Sequence, residues 1–141
     1  MMNEPVTTIM TAKVITLRPE DTLGQARDIF LSNRIHHLPI VEGEKLVGMI
    51  TSWDLFKTGL SAAEYANKPI SEVMTTKLAM LEPWQKIGAA AEVLMEHLFH
   101  AVPIVDESGH LKGILTTYDI LKYTFRREYP QDLSKFVPEN M

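Results

Sequence analysis

The stretch Gly48-Met49-Ile50-Thr51-Ser52-Trp53-Asp54 returns later in the chain as Gly113-Ile114-Leu115-Thr116-Thr117-Tyr118-Asp119. In each copy an apolar run ends in a threonine, and an aspartate follows three residues on. A helix N-terminus offers unpaired N–H groups and the positive end of its dipole, a setting that attracts phosphate. Thr51 or Thr116 would add a hydroxyl donor there. Asp54 or Asp119, with two carboxylate oxygens, could accept from two adjacent ribose hydroxyls. The same pair also fits a capping box, in which each side chain satisfies the other residue's backbone N–H. Both readings use the same atoms, and the pattern alone leaves both open.

Histidines form the next group: His36 and His37 directly before Leu38-Pro39, and His100 before Ala101-Val102-Pro103. Imidazole titrates near neutrality, so a nearby phosphate would favour its charged form. Polar residues at a helix-to-strand corner are the plainer explanation. His97 and His100 are three apart, but no third ligand stands at metal-binding spacing, so no metal is expected. Catalysis finds little support: there is no cysteine, no Gly-x-Ser-x-Gly elbow, no Walker-type loop and no zinc-protease helix motif. The carboxylate pairs Glu20-Asp21 and Asp106-Glu107 fall at expected caps or turns. We therefore expect a protein that is not an enzyme.

Composition agrees with a soluble domain. Of 141 residues, 45% are hydrophobic and 23% charged, and the net charge is -4, with no basic field to hold nucleic acid. No apolar run approaches the ~18 residues of a membrane span, and the start has no secretory pattern. A cytosolic protein that binds neither membrane nor nucleic acid is the expectation.

The elements that must position these residues are written twice. Pro19 and Pro83, and likewise Pro39 and Pro103, stand 64 residues apart, while Ile9-Met10-Thr11 answers to Val73-Met74-Thr75. Val14–Leu17 and Leu78–Leu81 read as short strands. A helix capped by Asp21 follows, with Leu23, Ala26, Ile29 and Phe30 on one face; Ile87, Ala90, Val93 and Leu94 repeat it. Gly24 and Gly88, inside those helices, suggest close packing against the neighbouring repeat. Two strands joined by a turn come next, residues 38–41 with 46–51 and residues 102–105 with 111–116. Proline at Pro39 and Pro103 cannot donate to a ladder, which places it at an edge or a beginning. The last helix should run from Thr117 to about Tyr129 and stop at Pro130.

The class is thus α+β, with two βαββα repeats packed sheet on sheet. The second strand of each repeat is expected to run parallel to the first. We divide the chain into 1–66, 67–129 and a tail, 130–141, in which Phe136, Val137 and Pro138 offer a docking segment.

The doubled pattern resembles a tandem pair of CBS domains, the modules named after cystathionine β-synthase. The resemblance rests on the two Met-Thr openings, on Leu38-Pro39-Ile40-Val41 and Val102-Pro103-Ile104-Val105, and on the two Gly-x-x-Thr-x-x-Asp segments. It implies an adenosine ligand (AMP, ADP, ATP or S-adenosylmethionine) in clefts between the repeats. Pocket walls would come from Val14, Ile15, Leu38, Pro39 and Met49 in one half, and from Leu78, Ala79, Val102, Pro103 and Ile114 in the other. Asn33–Pro39 resembles the phosphate-facing stretch of the γ subunits of AMP-activated protein kinases, with His37 where those have arginine and Ala101 at the matching place in the second copy. The resemblance also implies a homodimer, with Trp53 and Tyr118 beside the aspartates as candidate contacts, and a regulated partner protein. A ligand-free dimerisation scaffold is the alternative, with both Thr-x-x-Asp segments serving only as caps.

Overall fold

The computed structural model describes residues 2–97 and 99–130; the expected docking segment around Phe136, Val137 and Pro138 lies outside them. The order is a 3-10 turn at Val6–Thr8, α1 (Leu23–Ser32), β1 (His37–Glu42), β2 (Lys45–Thr51), α2 (Ser52–Thr58) and α3 (Ala62–Tyr65). A second 3-10 turn at Ile70–Glu72 leads to α4 (Ile87–His97), β3 (Ala101–Val105), β4 (Leu111–Thr116) and α5 (Thr117–Glu128).

Each hairpin is an antiparallel pair with the same register defect. Pro39 faces Met49 and Ile40 faces Gly48, with a bulge between Ile40 and Val41; Pro103 faces Ile114 and Ile104 faces Gly113, with a bulge between Ile104 and Val105. The turns close on Gly43 at φ +62° and Gly109 at φ +85°, left-handed conformations that glycine adopts without cost.

The expected leading strands are reduced to one parallel bridge each, Leu17 to Ile40 and Leu81 to Ile104. Direction is as expected; extent is not. The prolines supply the reason. Leu17 N–H donates to the Pro39 carbonyl at 3.3 Å and Val41 N–H to the Leu17 carbonyl at 2.9 Å. The next rung toward the N-terminus would need an N–H from Pro39, which has none. Pro103 likewise accepts from Leu81 at 3.1 Å and has nothing to give Ala79.

Thr22, not Asp21, caps α1. It accepts from Gln25 N–H at 3.2 Å while the Gln25 side chain accepts from Thr22 N–H at 2.8 Å. Asp21 instead accepts from Arg18 N–H at 2.7 Å, closing the turn over Pro19.

The two Met-Thr openings are exchanged between repeats. Residues 6–11 dock on the second repeat: Val6 N–H donates to Gln85, and Thr11 and Ile114 exchange both backbone bonds at 2.9 and 3.0 Å. Val6 is buried there with Leu81, Ala90, Leu94, Val102, Ile104 and Leu115. The connector docks on the first repeat in the same way, Thr75 exchanging 2.9 Å bonds with Met49. Ile70 is buried there among Leu23, Ala26, Leu38, Ile40 and Ile50. Glycine makes both dockings fit. A Cβ on Gly48 would lie 2.6 Å from Met74 Sδ, and one on Gly113 would lie 2.7 Å from both Met10 Sδ and the Thr11 carbonyl.

Gly24 and Gly88 also sit at close approaches, but to these same segments: Gly24 meets the backbone of Tyr65 and Ala66, and Gly88 the carbonyl of Met2. Between the repeats Met49, Ala101 and Ile114 form a small core against which Val14 and Leu78 pack. At the far edge Leu46 N–H donates to Gly109 and Leu111 N–H to Glu44, joining the hairpin turns. Among the described residues no helix is long and apolar enough to cross a membrane.

Candidate functional site

β2 delivers Thr51 to the mouth of a cleft, and the chain turns directly into α2. Thr51 N–H donates to Asp54 Oδ2 at 2.8 Å, while Asp54 N–H donates to Thr51 Oγ1 at 3.1 Å. Thr116 and Asp119 repeat this at the start of α5, at 2.8 and 3.2 Å, and the Thr116 hydroxyl also donates to Asp119 Oδ2. Both capping boxes are therefore closed. An ionised carboxylate accepts at about four lone-pair sites, so Asp54 keeps capacity on Oδ1, whose nearest cation is Lys57 Nζ at 3.7 Å.

The expected phosphate cradle at the helix ends is mostly occupied. Ser52 N–H donates to the His36 carbonyl at 3.1 Å and Thr117 N–H to the His100 carbonyl at 3.0 Å. Thus the backbones of His36 and His100 act as helix caps, and their rings are the parts left for a ligand.

Asp54 faces a cavity of about 580 Å³ between the repeats. One wall is Met49, Thr51, Ser52, Trp53 and Asp54; the wall opposite is Leu78, Ala79, Ala101 and Pro103. His36, His37, His100 and Lys77 line the same space, as do Thr75 and Phe99. The walls therefore do not divide by halves of the chain, as the sequence suggested. Each repeat contributes a different part: the threonine and aspartate come from the first, the apolar floor from the second.

Other expected wall residues lie elsewhere. Leu38 and Val102 point into the separate cores of their own repeats, because neighbours along a strand alternate in direction. Ile114 is buried between the repeats with Met49, and Val14 also lines a smaller polar cleft with Glu44 and His110. Ile15 is 42% exposed, and Pro39 is enclosed opposite Met49. Thr116 and Asp119 do not line the cavity, and Asp119 is only 6% exposed. Thr75 and Lys77 were missed as site residues, although Thr75 belongs to a recognised repeat motif; only the exchange of openings carries them to the cleft.

Burial, reinforced by the neighbouring imidazoles of His100 and His36 and partly opposed by Asp54, holds His37 below the ordinary histidine value. That setting favours the neutral form of His37. Among the described residues no group of three or more His, Asp or Glu is arranged to hold a metal ion.

A family model described as "CBS domain" matches residues 6–61 and 70–126, most of the chain. The chain belongs to the CBS-domain family. The CBS pair is 30% identical to protein MJ0100, solved as a CBS-domain pair with 5'-methylthioadenosine and S-adenosyl-L-methionine. The TM-score is 0.77, over 89% of this chain and 98% of that one. Protein MJ1225 of Methanocaldococcus jannaschii superposes at TM-score 0.81 with 30% identity, over 87% of this chain and 48% of that one. In sequence, the inosine-5'-monophosphate dehydrogenase of the same organism is 36% identical over 124 residues, covering 87% of this chain but 23% of the enzyme. The CBS pair thus spans about a quarter of that relative's length, and the match says nothing of the enzyme's reaction.

Proposed function

We propose that the protein is a regulatory module that holds an adenosine-containing ligand, AMP, ADP, ATP or S-adenosylmethionine, in the cleft between its repeats and passes occupancy to a partner protein. One observation carries the reading: Thr51 and Asp54 of one repeat face Leu78, Ala79 and Pro103 of the other across a single cavity. A nucleoside needs both walls. Adenine would lie on the apolar floor, where the Ala79 carbonyl receives no N–H from Pro103 and is left for the base. Asp54 Oδ1 would accept from ribose, while Oδ2 continues to cap α2. The phosphate end would point toward the histidines.

Because the two walls belong to different repeats, a ligand that binds one arrangement of the repeats more tightly shifts the population toward it. The shift is limited by its differential affinity. That linkage is how occupancy would reach a partner. The adenosine ligands named for MJ0100, at 30% identity, support the ligand class. A homodimer through α2 and α5 completes the reading, since Trp53 and Phe56 on α2 and Leu121 on α5 are 61%, 75% and 66% exposed.

The scaffold alternative draws on the same capping boxes, which are closed without any ligand. A thermal-shift series separates the two readings. A ligand at a hundred times its dissociation constant stabilises by about 2.7 kcal/mol, so AMP, ADP, ATP or S-adenosylmethionine should raise the midpoint where GMP does not. No rise with any of them at millimolar concentration would leave the scaffold.

A further inference from the structure

Three imidazoles, those of His36, His37 and His100, line one cavity, and the other two histidines of the chain, His97 and His110, are not among its lining residues. Among the described residues the only histidine within 4.0 Å of a carboxylate is His110, far along the hairpin edge beside Asp106 and Glu44. His36 and His100 are held by their carbonyls at the starts of α2 and α5, and the His36 ring lies 3.4 Å from Ser52 Oγ. His37 sits across the ladder from Thr51. Lys77 faces the same space from the connector, and among the described residues Asp54 is the one carboxylate lining the cavity. Asp54 is already engaged by Thr51 N–H and Lys57.

Protonating more than one of three imidazoles that line a common cavity brings like charges together. At His37, burial and the neighbouring imidazoles of His100 and His36 oppose protonation, and Asp54 only partly offsets them. An anion placed among the rings reverses both effects, because it replaces repulsion with charge-assisted hydrogen bonds. A metal ion would need the rings neutral and convergent, and they are not arranged for one.

We propose that the cleft is a proton-coupled sensor, in which a phosphorylated adenosine binds with uptake of protons onto His36, His37 and His100 while unphosphorylated adenosine binds without it. The inference rests on the nucleotide reading above and adds the regulation of that site. Affinity for the phosphorylated ligand then rises as pH falls, so one occupancy reports ligand level and acidity together.

The test is titration calorimetry at about pH 8 and about pH 6.5, spanning the usual histidine range. The probes are adenosine, AMP and adenosine 5'-sulfate. The sulfate ester is needed because a phosphate monoester itself titrates at about pH 6, whereas the sulfate keeps its single charge throughout. Each proton taken up raises affinity by as much as about tenfold per pH unit. The expected result is a several-fold gain for AMP and for the sulfate on acidification, with adenosine changing less than about twofold. In the triple variant His36→Gln, His37→Gln, His100→Gln the gain should vanish while adenosine still binds. The parent protein alone decides the matter if that variant does not fold. Equal affinity for the sulfate at both pH values overturns proton coupling and leaves the nucleotide reading standing. Absence of binding by all three probes at both pH values overturns this inference, and the nucleotide reading falls with it when ADP, ATP and S-adenosylmethionine also give no thermal shift.

Discussion

Asp54 Oδ2 accepts the Thr51 N–H at 2.8 Å while Thr51 Oγ1 accepts the Asp54 N–H at 3.1 Å. The two residues close the first turn of α2 on themselves, and the bond leaves Oδ1 of the same carboxylate outside the box, 3.7 Å from Lys57 Nζ. A structural cap and a ribose acceptor are therefore two uses of one side chain. Substitution can separate them. Asp54→Asn keeps an acceptor for Thr51 N–H but loses the charge, so it should cost well under 1 kcal/mol of stability while weakening adenosine ligands. Asp54→Ala loses both, at about 1 kcal/mol. Urea denaturation and ligand titration on the pair of variants check this.

Asp119 makes the matching cap but is buried, so its removal strands the Thr116 N–H and hydroxyl in a drier place. Asp119→Ala should cost more than Asp54→Ala, toward about 2 kcal/mol. Equal costs for the two would contradict the difference in burial.

Gly48 and Gly113 should not tolerate alanine equally. The contact at Gly48 is chiefly the Met74 thioether, the far end of a flexible side chain, with the Thr75 carbonyl at 3.2 Å; at Gly113 the Thr11 carbonyl stands at 2.7 Å. Gly113→Ala must push residues 6–11 off the second repeat, whereas Gly48→Ala mainly turns a methionine. Thermal denaturation should show the larger loss for Gly113→Ala, and protease should cut its N-terminal segment sooner.

His37 gives stability a pH dependence of known sign. Its folded value lies below the ordinary one, so on acidification the unfolded chain takes the proton first. The contribution is complete above the unfolded value of about 6.5 and declines as pH falls from there toward the folded value. Denaturant midpoints at neutral and mildly acidic pH should fall less for His37→Gln than for the parent.

Much of this was legible in the sequence, and the parts that were not share one cause. The 64-residue spacing showed two repeats, and the hairpins followed from apolar runs around Gly43 and Gly109. The two capping boxes could be read from Thr-x-x-Asp. Repetition does not say which copy a segment docks on, so the crossing of Met10 to Gly113 and Met74 to Gly48 was hidden, and Thr75 and Lys77 with it. The cavity drawn by halves failed for the same reason, since Thr51 meets Ala79 only after the repeats pack. Leu38 and Val102 were misplaced because strand alternation sends them away from their proline neighbours. The missing rungs beside Pro39 and Pro103 were implicit in proline's lack of an N–H, which bears on more than an edge position.

Binding of AMP to the parent and to Asp54→Asn, followed by titration calorimetry at neutral pH, tests the central claim most directly. The account predicts saturable binding by the parent and at least about tenfold weaker binding by the variant, the loss of one or two charge-assisted hydrogen bonds, with both proteins equally folded. Identical affinities for parent and variant would contradict the placement of the nucleoside at Asp54.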